Sequence, residues 1–257
     1  MHDTAGAGDL VGRQRDGHVL VITMERTEKR NAVDRAMADA LDDALNQLDD
    51  DQDLWAGVLT GSADVFSAGS DLTASGDYLT ARGGEYGIIR RRRRKPLIAA
   101  VEGPALGGGV EIVLACDLVV AASTARFGLP EVRIGVVPTC AGLFRAPRAL
   151  PLNLAKQLIL TGRPIDAGRA YEVGFVNVLT APGDALGEAV SLAQQLCENA
   201  PVSVQACLAA VNDIVAAEDE LGWRETQHAL AAAIGSEDAR EGVRAFLEKR
   251  PPVWTGR

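Results

Sequence analysis

Four short aliphatic runs, "HVLVITMER", "WAGVLTG", "PLIAAVEG" and "CDLVVAAS", constrain the fold more than any other feature of the chain. Each is rich in Val, Leu and Ile, is bounded by polar residues or glycine, and is too short for a helix of ordinary length. Because the runs are apolar at successive positions, both faces of each strand must be covered. A helical stretch separates the first two: Met37, Leu41, Ala44, Leu45 and Leu48 recur at helical spacing between Asp34 and Asp50, and Asp34 is placed to cap the start. Covered strands alternating with helices predict an α/β fold. From Pro151 onward the pattern is mostly helical. "LPLNLAKQLILTG" closes on Gly162, a C-cap signal, "DAGRAYEVG" opens on a capping Asp, "VNVL" returns as a strand, and 184–199, 201–217, 219–235 and 237–249 all read as helices. The first residues read as frayed. No solenoid repeat and no flexible linker breaks the chain.

Composition narrows the partners. The chain has 257 residues, enough for one large domain or a core with an appended subdomain, and a formal net charge of -9 argues against general affinity for nucleic acid or acidic membranes. Cys116, Cys140, Cys197 and Cys207 fit neither a CxxC pair nor a zinc pattern and read as reduced thiols. The polar start "MHDTAGAGDLVGRQRDG" lacks the apolar centre of a signal peptide, and no apolar run reaches the length of a membrane span. A cytoplasmic protein is expected.

One carboxylate stands out. In "ALGGGVEIVLACDLVVAA", three glycines precede Glu111, which lies at the mouth of an apolar segment. Glycine lets a ligand atom approach the backbone, and a turn that opens a helix aims free N–H groups outward. A phosphate loop needs GxxxxGK[ST], and a dinucleotide site needs GxGxxG; "GGGVEI" has neither. An oxyanion hole for an acyl group remains, and it needs two donors. The second glycine turn, "VFSAGSDL", follows the strand "WAGVLTG"; by itself it also reads as a strand-to-helix turn capped by Ser70 or Asp71. A second carboxylate, Glu131, lies in the mostly apolar "ARFGLPEVRIGVVP". Alone it reads as an ion-pair partner; together with Glu111 it forms an acid/base pair if burial or proximity raises their pKa values.

The segments "EKRNAV", "FSAGSDL", "KPLIAAVEGPALGGGVEIVLACDLVVAA", "ARFGLPEVRIGVVP", "LTGRPIDAGRAYEVGFVNVL" and "SEDAREGVRAFLEKRPPVW" resemble, in order and spacing, the crotonase superfamily of enoyl-CoA hydratase/isomerase proteins. The closing segment and "PLNL" after "RALP" are similar to its carnitinyl-CoA dehydratase branch. The resemblance implies a crotonase-like spiral of ββα units over 1–195, with a C-terminal helical region for oligomerisation over 196–257. It implies trimers or paired trimers, a CoA thioester as substrate, and no metal or separate cofactor. It places the oxyanion hole at the N–H groups of Ser70 and Gly108, and the two hydratase carboxylates at Glu111 and Glu131, as water-activating base and proton donor to the α-carbon. It also implies CoA or substrate contacts from Lys29, Arg30, Ala68, Asp71, Leu72, Thr139, Phe246 and Lys249, the last two often from a neighbouring subunit; an amphipathic helix with Phe246 buried and Lys249 solvated is the alternative.

The chain departs from the family at "PTCAG", where "PGxGG" is usual, so Thr139 and Ala141 replace glycines. Hydration is therefore weighed against enoyl-CoA isomerisation, 3-hydroxyacyl-CoA hydrolysis, carnitinyl-CoA dehydration and a silent homologue. No histidine joins a matched motif; His2, His18 and His228 lie outside them. The run Arg90–Lys95 reads as a solvated helix end, with a phosphate-attracting rim or an RNA-binding patch as rivals; few aromatics and the acidic net charge oppose RNA.

Overall fold

The computed structural model describes residues 10–74 and 76–257. Its main sheet has six strands. β1 (Val11–Asp16) pairs antiparallel with β2 (Val19–Met24), and β2 continues in parallel through β3 (Ala56–Thr60), β6 (Leu97–Val101), β8 (Leu118–Ala122) and β11 (Val178–Thr180). A two-stranded ribbon, β4 (Leu79–Thr80) with β5 (Gly84–Glu85), lies between β3 and β6 in the chain. The four aliphatic runs are β2, β3, β6 and β8, and all five residues of β3 and of β6 are buried, as strands covered on both faces require.

One face of the sheet is covered by α6 (Ala185–Cys197), whose Ala185, Ala189 and Ala193 meet Val21, Val58, Ile98 and Val120. Alanines at that spacing let the helix lie close to the strands. The other face carries α1 (Arg35–Asp50), capped by the Asp34 carboxylate accepting from Met37 N at 2.9 Å. A second sheet turns off the ends of the first: β7 (Pro104–Leu106) runs parallel to β9 (Arg126–Gly128), which pairs antiparallel with β10 (Ile165–Asp166). The order β6, β7, α2 (Gly108–Leu114) is repeated as β8, β9, α3 (Gly142–Ala149), which is the ββα spiral. α4 (Leu152–Thr161) ends at left-handed Gly162, and α5 (Ala167–Glu172) is capped by Asp166, as their sequences indicate. α7 (Pro201–Ala216), α8 (Asp219–Ile234) and α9 (Glu237–Leu247) follow. No helix of the described residues is long and apolar enough to cross a membrane.

The first residues, read as frayed, lie outside the described residues through position 9, and one other reading is corrected here. The strand β1 that follows them is not among the expected elements; its register with β2 runs from Val11 opposite Met24 to Asp16 opposite Val19. Only Val11 and Gly12 of this edge strand are buried, so its sequence carries no apolar alternation. The basic run is neither a helix end nor uniformly solvated. Arg91 bonds Asp42 and Asp49 at 2.5 and 3.0 Å, Arg93 bonds Asp117 at 2.5 Å, and the Lys95 ammonium donates to the carbonyls of Leu48 and Asp51 at 2.8 and 2.6 Å. Arg92 and Arg94 alone stay exposed without an ion pair among the described residues. Alternate side chains point inward, so neither a phosphate rim nor an RNA patch can use the run as a unit.

Candidate active site

The glycine turn ends β7 and opens α2. Leu106 N donates to Ser67 O at 2.9 Å and Gly107 N to Gly128 O at 2.8 Å, which fixes the strand end in the second sheet. Gly107 then takes φ +55°, a conformation that disfavours a side chain. One turn into α2, Glu111 is 2% exposed. Its Oε1 accepts from Cys140 N at 2.7 Å and Gly142 N at 2.8 Å. Burial raises its pKa to about 7, against the two backbone donors that favour the charged form.

Glu131 opens a 3-10 turn, Glu131–Ile134. A Cβ on Gly107 would lie 3.2 Å from its Oε1, so the carboxyl rests over the glycine turn. Its Oε2 is buried and has no hydrogen-bond partner among the described residues. Burial, and next the charge of Glu111, push its pKa up to about 8. The structure thus brings both sequence-identified carboxyls to one glycine turn, with no cation paired to either among the described residues.

The two candidate donors also meet. Val33 N donates to Gly69 O at 2.7 Å and Asp71 N donates to Val33 O at 2.9 Å. In this parallel bridge Ser70 N–H faces the opposite side, without an acceptor among the described residues. Gly108 is the first residue of its helix, where N–H groups have no intrahelical acceptor. The turns abut: a Cβ on Gly69 would lie 2.6 Å from Gly108 N. Two free N–H groups on abutting turns form a site for developing negative charge. Among the described residues no helix begins between Ser70 and β4, so the capped strand-to-helix reading of this turn does not hold.

"PTCAG" forms the loop that holds Glu111. Ala141 sits at φ +78°, where the usual glycine would be unstrained, and this loop geometry directs Cys140 N and Gly142 N to Glu111. Thr139 is half-buried, with its hydroxyl 3.7 Å from Cys140 Sγ. Burial and then Glu111 hold the Cys140 thiol well above its ordinary pKa, so it is protonated and no nucleophile. All four cysteines are free.

The remaining candidates divide. Ala68 N donates to Arg30 O at 3.0 Å, and Lys29 Nζ lies 3.5 Å from Thr73 Oγ1, so Lys29, Arg30, Ala68, Asp71 and Leu72 share one rim. The Asp71 carboxylate is engaged by Arg26 at 3.0 Å and Thr73 Oγ1 at 2.6 Å, and hydrogen bonding from Thr73 lowers its pKa. Leu72 is exposed. Phe246 and Lys249, at the end of α9, make no hydrogen bond to this rim among the described residues, and Phe246 is half exposed rather than buried in its own helix. Sequence reasoning missed Tyr78 and Tyr86: their rings lie 4.8 Å apart, and Ser70 Oγ is 3.3 Å from Tyr78 Oη and 2.6 Å from Tyr86 Oη. They come from an irregular stretch with no motif, and two tyrosines eight apart were the only signal.

A family model described as enoyl-CoA hydratase/isomerase matches residues 14–257. The chain is 38% identical to enoyl-CoA hydratase EchA19 of Mycobacterium tuberculosis, over 95% of this chain and 96% of that protein. It is 38% identical to a carnitinyl-CoA dehydratase of Salmonella paratyphi A, over 95% of this chain and 97% of that one. Among solved structures, a carnitinyl-CoA hydratase from Mycobacterium avium superimposes with a TM-score of 0.92 at 40% identity, over 97% and 99% of the two chains.

Proposed function

The chain belongs to the enoyl-CoA hydratase/isomerase family, and from that premise we propose that it is a hydro-lyase adding water reversibly across the double bond of a 2-enoyl-CoA. The observation that carries this reading is the pairing of buried Glu111 with half-buried Glu131 beside two free N–H donors. Glu111 at about 7 and Glu131 at about 8 are poised for proton exchange near neutrality.

In this mechanism the thioester oxygen accepts from Ser70 N–H and Gly108 N–H. Glu111 takes a proton from water as the water oxygen bonds to the β-carbon. The π electrons move to the thioester oxygen as an enolate, which the two donors stabilise; one such donor is worth roughly 3–4 kcal/mol. Glu131 gives its proton to the α-carbon, and the carbonyl reforms. One water is consumed and every proton is accounted for, so these steps call for no separate cofactor; CoA enters as part of the substrate. Dehydration of a 3-hydroxyacyl-CoA runs the same steps backwards, and both carboxyls favour this pair of reactions over isomerisation.

Lys29, Arg30, Ala68, Asp71 and Leu72 form the rim assigned to the CoA nucleotide, with the Asp71 carboxylate held in place by Arg26 and Thr73. Thr139 faces the acyl group. Phe246 and Lys249 reach the nucleotide of a neighbouring subunit in a homotrimer or a pair of trimers. That assembly accounts for Val202, Ile214, Ile234 and Leu247, which stand exposed on α7, α8 and α9. The core over 1–195 and the helical region over 196–257 divide these tasks in a protein of the cytoplasm.

The test is a panel of 2-enoyl-CoA thioesters, short to long, with carnitinyl-CoA as a dehydration substrate, followed by absorbance of the conjugated thioester. Turnover that collapses in Glu111→Gln and Glu131→Gln supports the reading and ranks acyl groups. Thioesters that bind to wild type but stay unchanged contradict it.

A further inference from the structure

One side chain touches both donor turns. The Tyr86 hydroxyl lies 2.6 Å from Ser70 Oγ. The same ring presses on the other turn: a Cβ on Gly108 would meet the hydroxyl, and would lie 2.7 Å from ring atoms Cε2 and Cζ. Gly108 is therefore glycine because Tyr86 fills the space, and Tyr86 spans the gap between the residues that carry the two free N–H groups.

Tyr86 is also held under strain. Its φ is +56°, unusual for a bulky side chain, and such strain persists only where the surroundings over-determine it. They do so here. Tyr86 N donates to Tyr78 O at 3.1 Å. Glu85 is paired with Arg90 at 2.9 Å, and Arg90 lies 3.7 Å over the Trp223 ring. Arg91 Nε donates to Gly87 O at 3.2 Å, and Arg145 donates to Ile89 O at 2.8 Å. The basic run thus begins as the anchor of the Tyr86 segment.

We propose that Tyr86 is a positioning residue that fixes the distance between the Ser70 and Gly108 donors, by its ring against Gly108 and its hydroxyl on Ser70. Ser70 then has two functions: its N–H faces the thioester oxygen, and its hydroxyl receives the position that Tyr86 sets. This rests on the oxyanion-hole reading of the site.

The test uses Tyr86→Phe, which keeps the ring and removes the hydroxyl, with Ser70→Ala, which keeps the N–H. Each is measured for kcat and KM on crotonyl-CoA and for the absorbance shift of bound para-aminocinnamoyl-CoA, whose band moves to the red when its carbonyl is polarised. Small misplacement of a catalytic donor costs up to about 100-fold. We expect kcat to fall roughly 10- to 100-fold in each variant, KM to stay within about two-fold, and the red shift to shrink. The double variant should be no worse than Ser70→Ala alone, which already breaks the Tyr86 bond and loses the Tyr78 contact as well. A wild-type red shift retained in full by Tyr86→Phe, with unchanged kcat, overturns the positioning role alone. Absence of any red shift in wild type overturns the oxyanion reading and this role with it.

Discussion

Two of the places where the described residues bury charge do so in opposite ways. Arg91, Arg93 and Lys95 are packed against Asp42, Asp49, Asp117 and main-chain carbonyls, so every charge faces an opposite charge or a carbonyl, although Arg93 Nε and Asp49 Oδ1 have no hydrogen-bond partner among the described residues. Glu111 is buried and Glu131 half-buried near it, with no cation paired to either and no partner for Glu131 Oε2 among the described residues. The first arrangement is ordered by its own charges and holds the chain between β5 and β6. The second is destabilised by its charges, and the raised pKa values record the cost. Charge matched in place serves the fold; charge left unmatched is available for chemistry.

The largest expected effect is on turnover. Glu111→Gln and Glu131→Gln each remove one proton-transfer group and should lower kcat by about 10²- to 10⁴-fold, measured on the best thioester of the panel, with the fold intact by circular dichroism. If both variants kept most of their activity, the unmatched charges would have no chemical purpose and the contrast would fail.

The basic cluster should behave in the opposite sense. Arg91→Ala leaves Asp42 and Asp49 buried without their partner, and should lower stability by roughly 3–5 kcal/mol in denaturant unfolding. A loss well under about 1 kcal/mol would show that its matched charges do not hold the fold.

Removing an unmatched charge should stabilise. In the folded protein Glu111 keeps its proton up to about 7, whereas the unfolded chain releases it near the usual carboxylate value. The folded state therefore holds more protons between those two values, and stability falls as pH rises through that window. Glu111→Gln should gain on the order of 3 kcal/mol at pH 8, by thermal midpoint and denaturant, with the gain vanishing at about pH 4. Equal gain at both pH values would place its cause outside ionisation.

The smallest effects sharpen the boundary. Arg92→Ala and Arg94→Ala, on the exposed side of the run, should change stability by less than about 0.5 kcal/mol. Ala141→Gly relieves the left-handed backbone but loosens the unfolded chain, so a net gain of under about 1 kcal/mol is expected from unfolding curves.

Much of this was legible in the sequence where local chemistry decides the outcome. The aliphatic runs became β2, β3, β6 and β8; Asp34, Gly162 and Asp166 ended or began the helices they flank; and a lone Glu after a glycine run pointed to the candidate site. What stayed hidden depends on distant partners. Arg91 meets Asp42 across 49 positions and Arg93 meets Asp117 across 24, so the run looked like a solvated face. β1 is polar because it is an edge strand, and β7, β9 and β10 are two or three residues long. Tyr86 is set by tertiary contacts in a segment with only two-residue strands, and no periodicity announces it.

The pH dependence of kcat/KM for wild type reads the central claim most directly. With Glu111 as base at about 7 and Glu131 as acid at about 8, activity should rise as pH passes 7, fall above 8, and form a narrow bell. Glu111→Gln should remove the rising limb from the residual rate. A profile that stays flat from about pH 5 to about pH 10, spanning ordinary carboxylates and both raised values, would contradict an unmatched carboxyl pair as the engine of the reaction.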